Sequence, residues 1–268
     1  MALPSPSAGS TALVTGASAG IGAAIARELA ARGHGVTLVA RREERLRELA
    51  RELAAAHGVR AEAIGADLGD PRGRDRMAAA IAKLGLDVEV LVNNAGFGTF
   101  GFFAKADRQR QLEMVRLNVE AVVDLESRYL GTMVDRGQGA VLNIASMAAF
   151  QPLPGSSTYA ATKAFVLSHS EALHSELQGT GVTVTAVCPG PVKTEFSEAA
   201  GIAGVEERTP GMLWMSAEDV AKSAVDAAEK GKRSVVPGLM NQAGAIAGRH
   251  TPRTVLLPTV KRFWGRVR

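Results

Sequence analysis

Residues 10–22 read STALVTGASAGIG, an apolar, β-rich segment that stops at Gly16 and runs directly into a helical pattern. The first part predicts a buried strand. Gly16, Gly20 and Gly22 fall in the turn that follows, where glycine allows a tight bend, close approach of a pyrophosphate and close packing of helix on strand. The helix N-terminus adds backbone N–H groups for phosphate. The stretch therefore predicts a βα unit that binds a dinucleotide. The spacing is Gly-x-x-x-Gly-x-Gly rather than the commonest fingerprint, and a simple turn is the alternative.

The same alternation of strand and helix continues along the chain. Further strands are predicted within 35–40, 59–68, 88–96, 139–146, 181–194 and 233–238, with helical patterns between them. Such alternation indicates right-handed βαβ units and a sheet covered on both faces. We therefore predict one doubly wound α/β domain over 8–240, with a seven-stranded, mainly parallel sheet, and a C-terminal tail over 241–268. Ligands of such sheets bind at the carboxyl ends of the strands.

Composition excludes several classes of protein. The chain has 268 residues, 46% hydrophobic and 22% charged, which suits a globular domain with a sizeable core. Cys188 is the only cysteine, which excludes an internal disulfide and a cysteine metal cluster. The histidines are scattered, so no metal site is predicted. We find neither a signal peptide nor an apolar run long enough to span a membrane, and expect a cytoplasmic protein.

The formal charge of +4 is concentrated at the C-terminus. From Arg249 onward there are six Lys/Arg and no Asp/Glu, which leaves 25 basic against 27 acidic residues in the rest of the chain. Such a body lacks the basic face of a nucleic-acid-binding protein. The tail mixes Phe263 and Trp264 with arginines, so it could lie peripherally on an anionic membrane, pack in an oligomer, or be disordered.

The end of the second strand, LVARREE, bears on cofactor choice. In NAD sites an acidic residue there binds the ribose 2′-OH, whereas an arginine accommodates the 2′-phosphate of NADP. Arg41 and Arg42 occupy this position, and a guanidinium fork matches a phosphate. The pattern favours NADP(H) over NAD(H). The alternative is that both arginines are solvated residues at a helix start.

The motifs together carry a family resemblance. They are TGASAGIG at 15–22, ADL at 66–68, NNAG at 93–96, Asn118, Ser146, YAATK at 159–163 and CPGPVKT at 188–194. This ordered set resembles the short-chain dehydrogenase/reductase family in its compact, single-domain Rossmann form. Within the family the chain is most similar to the NADP-preferring, carbonyl-reductase-like group.

The resemblance implies a role for each matching residue. Tyr159 matches the general acid/base, and Lys163 the residue that binds the nicotinamide ribose and lowers the tyrosine pKa. Ser146 matches the group that binds the substrate carbonyl, and Asn118 the residue that holds a water in the proton relay. The residues expected to contact the cofactor are Gly16, Ser18, Ala19, Gly20, Ile21, Gly22, Arg41, Arg42, Asp67, Leu68, Asn94, Ala95, Gly96, Tyr159, Lys163, Pro189, Gly190, Val192 and Thr194.

The charge arithmetic supports the central pair. A free tyrosine has a pKa of about 10. A positive charge about 4 Å away, at an effective dielectric near 20, contributes roughly 4 kcal/mol, or about three pKa units. We therefore expect Lys163, with the cation of an oxidised nicotinamide, to lower the pKa of Tyr159. The alternative is a surface pair at helical spacing.

The substrate side of the site is predicted to be apolar. Its wall is expected to include Phe97, Phe150, Phe196 and Trp214, within 97–103, 147–155 and 195–215. The predicted function is NADP(H)-dependent interconversion of a hydrophobic ketone or aldehyde and its alcohol at a Ser-Tyr-Lys-Asn site. The alternatives are a 3-oxoacyl thioester reductase of lipid or polyketide metabolism, an epimerase or dehydratase, and a non-catalytic dinucleotide-binding regulator. Family members are usually dimers or tetramers, so a homo-oligomer is expected.

Overall fold

The centre of the molecule is a seven-stranded sheet. A computed structural model describes residues 3–196 and 211–264 of the chain, with the side chains of 263 and 264 excepted. The strands lie in the order β3-β2-β1-β4-β5-β6-β7, and every pairing is parallel. Their bounds are β1 Ser10–Thr15, β2 Val36–Ala40, β3 Ala61–Gly65, β4 Asp87–Asn93, β5 Gly139–Ile144, β6 Val182–Val187 and β7 Ser234–Val235. The predicted doubly wound fold is confirmed.

Helices cover both faces of this sheet. They are α1 Gly20–Ala31, α2 Glu43–His57, α3 Pro71–Lys83, α4 Arg108–Val115, α5 Ala121–Arg136, α6 Ser157–Glu176, α7 Ala217–Glu229, α8 Leu239–His250 and α9 Arg253–Trp264. Because parallel strands bury both sides, most strand residues are buried, and two large core clusters and a smaller third one form. One large cluster holds α1, α2 and α7 against the sheet; the other large one involves α3 and α5.

The helical region predicted over 108–134 contains an irregular turn. α4 and α5 are joined by a π-helical turn at Arg116–Glu120. Such one-turn π segments occur most often at functional sites. Here the turn contains Asn118, whose side chain is almost fully buried. Residue type and periodicity alone predicted a continuous helix.

The C-terminal segment is folded against the carboxyl edge of the sheet. β7 is only two residues long, and the chain then forms α8 and α9. Asn241 of α8 is buried, and its amide donates hydrogen bonds to the carbonyls of Leu213 and Pro237. Within the described residues no helix is both long and apolar enough to cross a membrane.

Candidate active site

A cavity of about 1320 Å³ runs along the carboxyl edge of the sheet. Its walls come from the turns after β1 to β6, with contributions from α4, α8 and α9. It is larger than a drug-sized pocket, which is typically about 300–1,000 Å³. One continuous groove therefore connects the glycine turn, the arginines after β2 and the residues after β5.

The glycine turn is locked to the end of β4. The Thr15 hydroxyl donates to the carbonyl of Val92 and accepts from the backbone N–H of Asn94, both at 2.9 Å. The Asn94 amide donates to the Thr15 carbonyl at 2.9 Å. Gly16 has a φ of 65°, and a Cβ there would lie 2.9 Å from the Cα of Ala95. The close approach of these two turns therefore requires glycine at position 16.

The first helix begins without a side-chain cap. Ala19 is the N-cap residue of α1, and the first turn carries no acidic residue. The first N–H groups of a helix have no partner within the helix. The start of α1 is therefore suited to bind an anion, and Ser18, Gly20 and Ile21 line the cavity at this point.

The far end of the groove carries the two arginines. Arg41 and Arg42 both line the cavity with Asp67 and Leu68. The guanidinium of Arg42 donates to the Ser18 hydroxyl at 3.1 and 3.2 Å and forms an ion pair with Glu195 at 2.7 Å. Arg41 makes no hydrogen bond or ion pair with any residue that the structure describes.

Ser146, Tyr159 and Lys163 come together at the middle of the groove. Ser146 follows β5, and Tyr159 and Lys163 lie one turn apart on the same face of α6. Ser146 and Tyr159 both line the cavity at this point, and Ser146 is close enough to affect the pKa of the Tyr159 hydroxyl. The ammonium of Lys163 donates to the carbonyl of Ile144 at 2.7 Å and lies 5.9 Å from the centre of the Tyr159 ring.

Burial shifts the pKa values of both Tyr159 and Lys163 toward their neutral forms. Burial raises the pKa of Tyr159, and the nearby Ser146 side chain opposes this shift. Burial lowers the pKa of Lys163 to about 8. Desolvation disfavours the charged form of each group, and the predicted attraction between them does not outweigh it. Without a nucleotide, burial therefore favours the protonated phenol of Tyr159.

Asn118 is buried beside the site and forms hydrogen bonds with two of the segments that build it. Its side-chain amide donates to the carbonyl of Phe97 at 2.9 Å and to the hydroxyl of Thr162 at 3.1 Å. Its side-chain oxygen accepts from the backbone N–H of Phe97 at 3.1 Å. Both amide donors are thus engaged, and Asn118 does not line the cavity. In this arrangement the side chain fixes the loop after β4 to α6.

Most of the other predicted cofactor contacts line the cavity. They are Gly16, Ala19, Asn94, Ala95, Gly96, Pro189, Gly190, Val192 and Thr194. Gly22 lies beneath the turn instead, where a Cβ would be 2.5 Å from the carbonyl oxygen of Gly16. Its contribution is to let α1 approach the turn.

The predicted substrate wall divides into two groups. Phe97, Phe196 and Trp214 line the cavity, and the rings of Phe196 and Tyr159 are 5.7 Å apart. Phe150 does not line it. Phe150 ends the 3-10 turn after Ser146, and its side chain packs on a small core cluster that includes Val166. The part of the predicted wall at 197–210 lies outside the described residues.

Three residues near the cavity were not anticipated from the sequence. The guanidinium of Arg110 lies 3.7 Å from the centre of the Phe97 ring. Asn241 joins the wall from α8, and Glu195 reaches Arg42 and Arg45. The sequence around Asn241 gives little signal, because Gln242 beside it is polar as well. Glu195 and Arg110 resemble ordinary surface charges until the fold brings their partners close.

Comparison with known proteins identifies the family. The model of the short chain dehydrogenase family matches residues 10–202. A very-long-chain 3-oxoacyl-CoA reductase of Anas platyrhynchos is 35% identical over 230 residues, which are 78% of this chain and 73% of that protein. Sulfoacetaldehyde reductase 2 of Chromohalobacter salexigens is 37% identical over 219 residues, which are 78% of this chain and 84% of that protein.

A solved structure agrees with this result. A short-chain dehydrogenase from Sphingobium yanoikuyae in complex with NADPH superposes with a TM-score of 0.79 at 35% identity, covering 93% of this chain and 95% of that one. The order of the strands, the position of the glycine turn and the Ser-Tyr-Lys arrangement are consistent with this match. The chain belongs to the short-chain dehydrogenase/reductase family of oxidoreductases.

Proposed function

We propose that this protein is an NADP(H)-dependent oxidoreductase that interconverts a hydrophobic ketone or aldehyde and its alcohol. The observation that carries the proposal is the convergence of Ser146, Tyr159 and Lys163 on one groove whose other end holds Arg41 and Arg42. A serine, a tyrosine and a lysine together supply an oxyanion donor, a proton donor and a cation. The arginines supply the counter-charge for a phosphate.

The groove fits a dinucleotide on physical grounds. The uncapped start of α1 leaves backbone N–H groups for a pyrophosphate. Gly96 lines the groove, and a Cβ there would lie 2.9 Å from the side-chain oxygen of Asn118 and 3.6 Å from the ammonium of Lys163, so this position has no room for a side chain. We propose that Arg41 and Arg42 contact the 2′-phosphate, that Asp67 and Leu68 contact the adenine, and that Lys163 binds the nicotinamide ribose.

The residues around the reacting carbonyl have distinct tasks. A bound nicotinamide supplies or accepts the hydride. The Ser146 hydroxyl donates a hydrogen bond to the carbonyl oxygen, where negative charge develops during reduction. Tyr159 delivers its phenolic proton to the same oxygen. Burial raises the pKa of Tyr159, which favours the protonated phenol that this step requires. The nearby ammonium of Lys163 then stabilises the phenolate that remains.

The cavity wall supports an apolar substrate. Its apolar side chains near Tyr159 are Phe97, Phe100, Leu153, Phe196, Leu213 and Trp214. Such a wall favours a hydrophobic carbonyl compound over a sugar. A 3-oxoacyl thioester reductase is the second candidate, and Arg110 on the face of Phe97 supports it. A cation at this position suits the anionic part of a thioester carrier.

Turnover measurements test both candidates. We expect NADPH oxidation with apolar ketones, and a loss of about 10²–10⁴ in kcat for Tyr159→Phe with nucleotide binding retained. Arg110→Gln should raise KM for a short 3-oxoacyl-CoA while leaving KM for a neutral ketone unchanged if the thioester is the substrate. Tight nucleotide binding without turnover of any ketone, aldehyde or thioester would instead support a non-catalytic regulator.

We further propose that the protein is a cytoplasmic homodimer or homotetramer, and that α8 and α9 form its contact surface with a subunit or a membrane. Leu239, Met240 and Ile246 are exposed on α8, and Arg249 and Arg253 follow them. Deletion of this segment would also remove Thr259 and Val260 from the cavity wall. Light scattering and flotation with anionic vesicles are therefore better applied to Arg249→Glu/Arg253→Glu. Loss of flotation in this double variant would support contact with a membrane, whereas a lower oligomer mass would support contact with another subunit.

A further inference from the structure

Glu195 lies in the cavity wall against Arg42, one of the two residues proposed to contact the 2′-phosphate, and it also pairs with Arg45. One oxygen of its carboxylate pairs with Arg42 at 2.7 Å and the other with Arg45 at 2.7 Å. The two arginines lie at the start of α2, whereas Glu195 lies beyond β6. The contact therefore bridges the groove between two segments far apart in sequence. The arginines hold the pKa of the Glu195 carboxyl below its ordinary value, as expected for an ionised partner.

The N–H donors of the Arg42 guanidinium already have hydrogen-bond partners. Its Nε and Nη2 donate to the Ser18 hydroxyl, and its Nη1 donates to Glu195. A guanidinium binds a phosphate most strongly through two parallel N–H groups. Glu195 and Ser18 engage both edges of this fork, so a phosphate can bind Arg42 in this way only after displacing one of them. Arg41, in contrast, has no such partner among the described residues.

We infer that Glu195, which Arg45 holds in place from its other oxygen, is a specificity-determining residue that weakens binding of the 2′-phosphate by competing with it for Arg42. This inference rests on the proposed NADP(H) function. A dinucleotide without the 2′-phosphate carries no group that needs these guanidinium ions, so it leaves the ion pairs intact. The competition therefore lowers the affinity for NADPH but not for NADH, and moderates the preference that the arginines create.

The chain contains a matched control ion pair. Arg27 and Glu52 form a bidentate pair at 2.9 and 3.0 Å between α1 and α2. Their side chains are 45% and 52% exposed, against 46% and 50% for Arg42 and Glu195. Glu52 does not line the cavity. Glu52→Gln therefore removes the same charge and a comparable ion pair without touching the proposed phosphate site.

The test is a titration of the full-length wild type, Glu195→Gln and Glu52→Gln with NADPH, NADH, 2′,5′-ADP and 5′-AMP at low salt. Exposed ion pairs contribute modestly, so we expect Glu195→Gln to tighten NADPH and 2′,5′-ADP by about threefold to thirtyfold. NADH and 5′-AMP should change by less than about twofold, as should every ligand with Glu52→Gln.

Three results would overturn the inference alone, given a wild type that binds NADPH. They are an unchanged or weaker affinity of Glu195→Gln for NADPH, an equal gain for NADH, and an equal gain from Glu52→Gln. A wild type that binds neither dinucleotide, or binds NADH alone, would overturn the proposed function and this inference together. A gain in affinity for 2′,5′-ADP without a gain for 5′-AMP would locate the effect at the 2′-phosphate.

Discussion

The buried charge of Lys163 should make stability depend on pH in a defined way. Its side chain is 6% exposed, and burial lowers its pKa from the usual 10.5 to about 8. Each pKa unit corresponds to about 1.4 kcal/mol, so the ionised lysine destabilises the folded protein by about 3 kcal/mol. The neutral form carries no such cost. Replacing Lys163 by methionine, which has a similar length, removes the charge at every pH.

The sign of the pH dependence follows from proton linkage. Between about pH 8 and 10.5 the unfolded chain holds a proton on Lys163 that the folded chain has lost. The free energy of unfolding of the wild type therefore gains about 3 kcal/mol across this window relative to Lys163→Met. The gain is complete above the unfolded pKa and is lost as the pH falls through the folded pKa. At pH 7 the variant should be equal or greater in stability, since the methionine loses only the hydrogen bond to Ile144, worth about 1–3 kcal/mol.

Urea unfolding of the nucleotide-free protein from pH 7 to 10.5 measures this difference directly. Titrations common to both proteins cancel in the comparison. Lys83→Met, at an exposed lysine of α3, shows how much of the slope comes from removing a surface charge. A difference between wild type and Lys163→Met that stays constant over the window would refute the reasoning, because it would mean that Lys163 is not desolvated. Catalytic activity should be lost in Lys163→Met whatever its stability.

Three further predictions concern packing and local charge. His169→Leu leaves the buried carboxylate of Glu126 without its 2.8 Å partner, so it should lower stability by about 1–3 kcal/mol. That hydrogen bond also raises the pKa of His169, so denaturant midpoints should show the largest loss at pH below 6.5 and a smaller one as the pH rises through the raised pKa. Phe196 lines the cavity, so Phe196→Ala should raise KM with a minor change in melting temperature. Phe150 packs on a core cluster, so Phe150→Ala should lower stability by up to about 3 kcal/mol and leave KM unchanged. The reverse pattern would show that Phe150, and not Phe196, contacts the substrate. Gly22→Ala places a methyl 2.5 Å from a backbone carbonyl of the glycine turn, so calorimetry should show weaker binding of both dinucleotides, and unaltered affinity would contradict this packing.

The fold was predictable because its signals are local and repeated. Each strand from β1 to β6 is a short segment of five to seven residues with several aliphatic residues, and the glycine after β1 has a backbone conformation that other residues rarely adopt. The alternation with helices then leaves few topologies. The π turn at Arg116–Glu120 was not predictable in this way, since its residues are compatible with an ordinary helix and only the packing of Asn118 selects it.

The positions of the site residues followed from the motifs, but their environments did not. Spacing on α6 places Tyr159 and Lys163 on one face, and this is what the structure contains. Burial raises the pKa of Tyr159 in the absence of a nucleotide, an effect that the charge arithmetic left out because desolvation depends on every neighbouring group. Phe150 was expected in the substrate wall and instead packs in the core. Aromatic composition cannot distinguish these two positions.

The sequence by itself determined the parallel α/β fold, the glycine turn at its first strand, the Ser-Tyr-Lys set and the arginines after β2. Each of these depends on residue type and short-range spacing, and the chain carries both in its linear order. Only the tertiary structure decided that Glu195 meets Arg42, that Arg110 covers Phe97 and that α8 closes one wall of the cavity. These contacts join segments separated along the chain, and the direction of a charged side chain depends on which partner the folded backbone brings within reach.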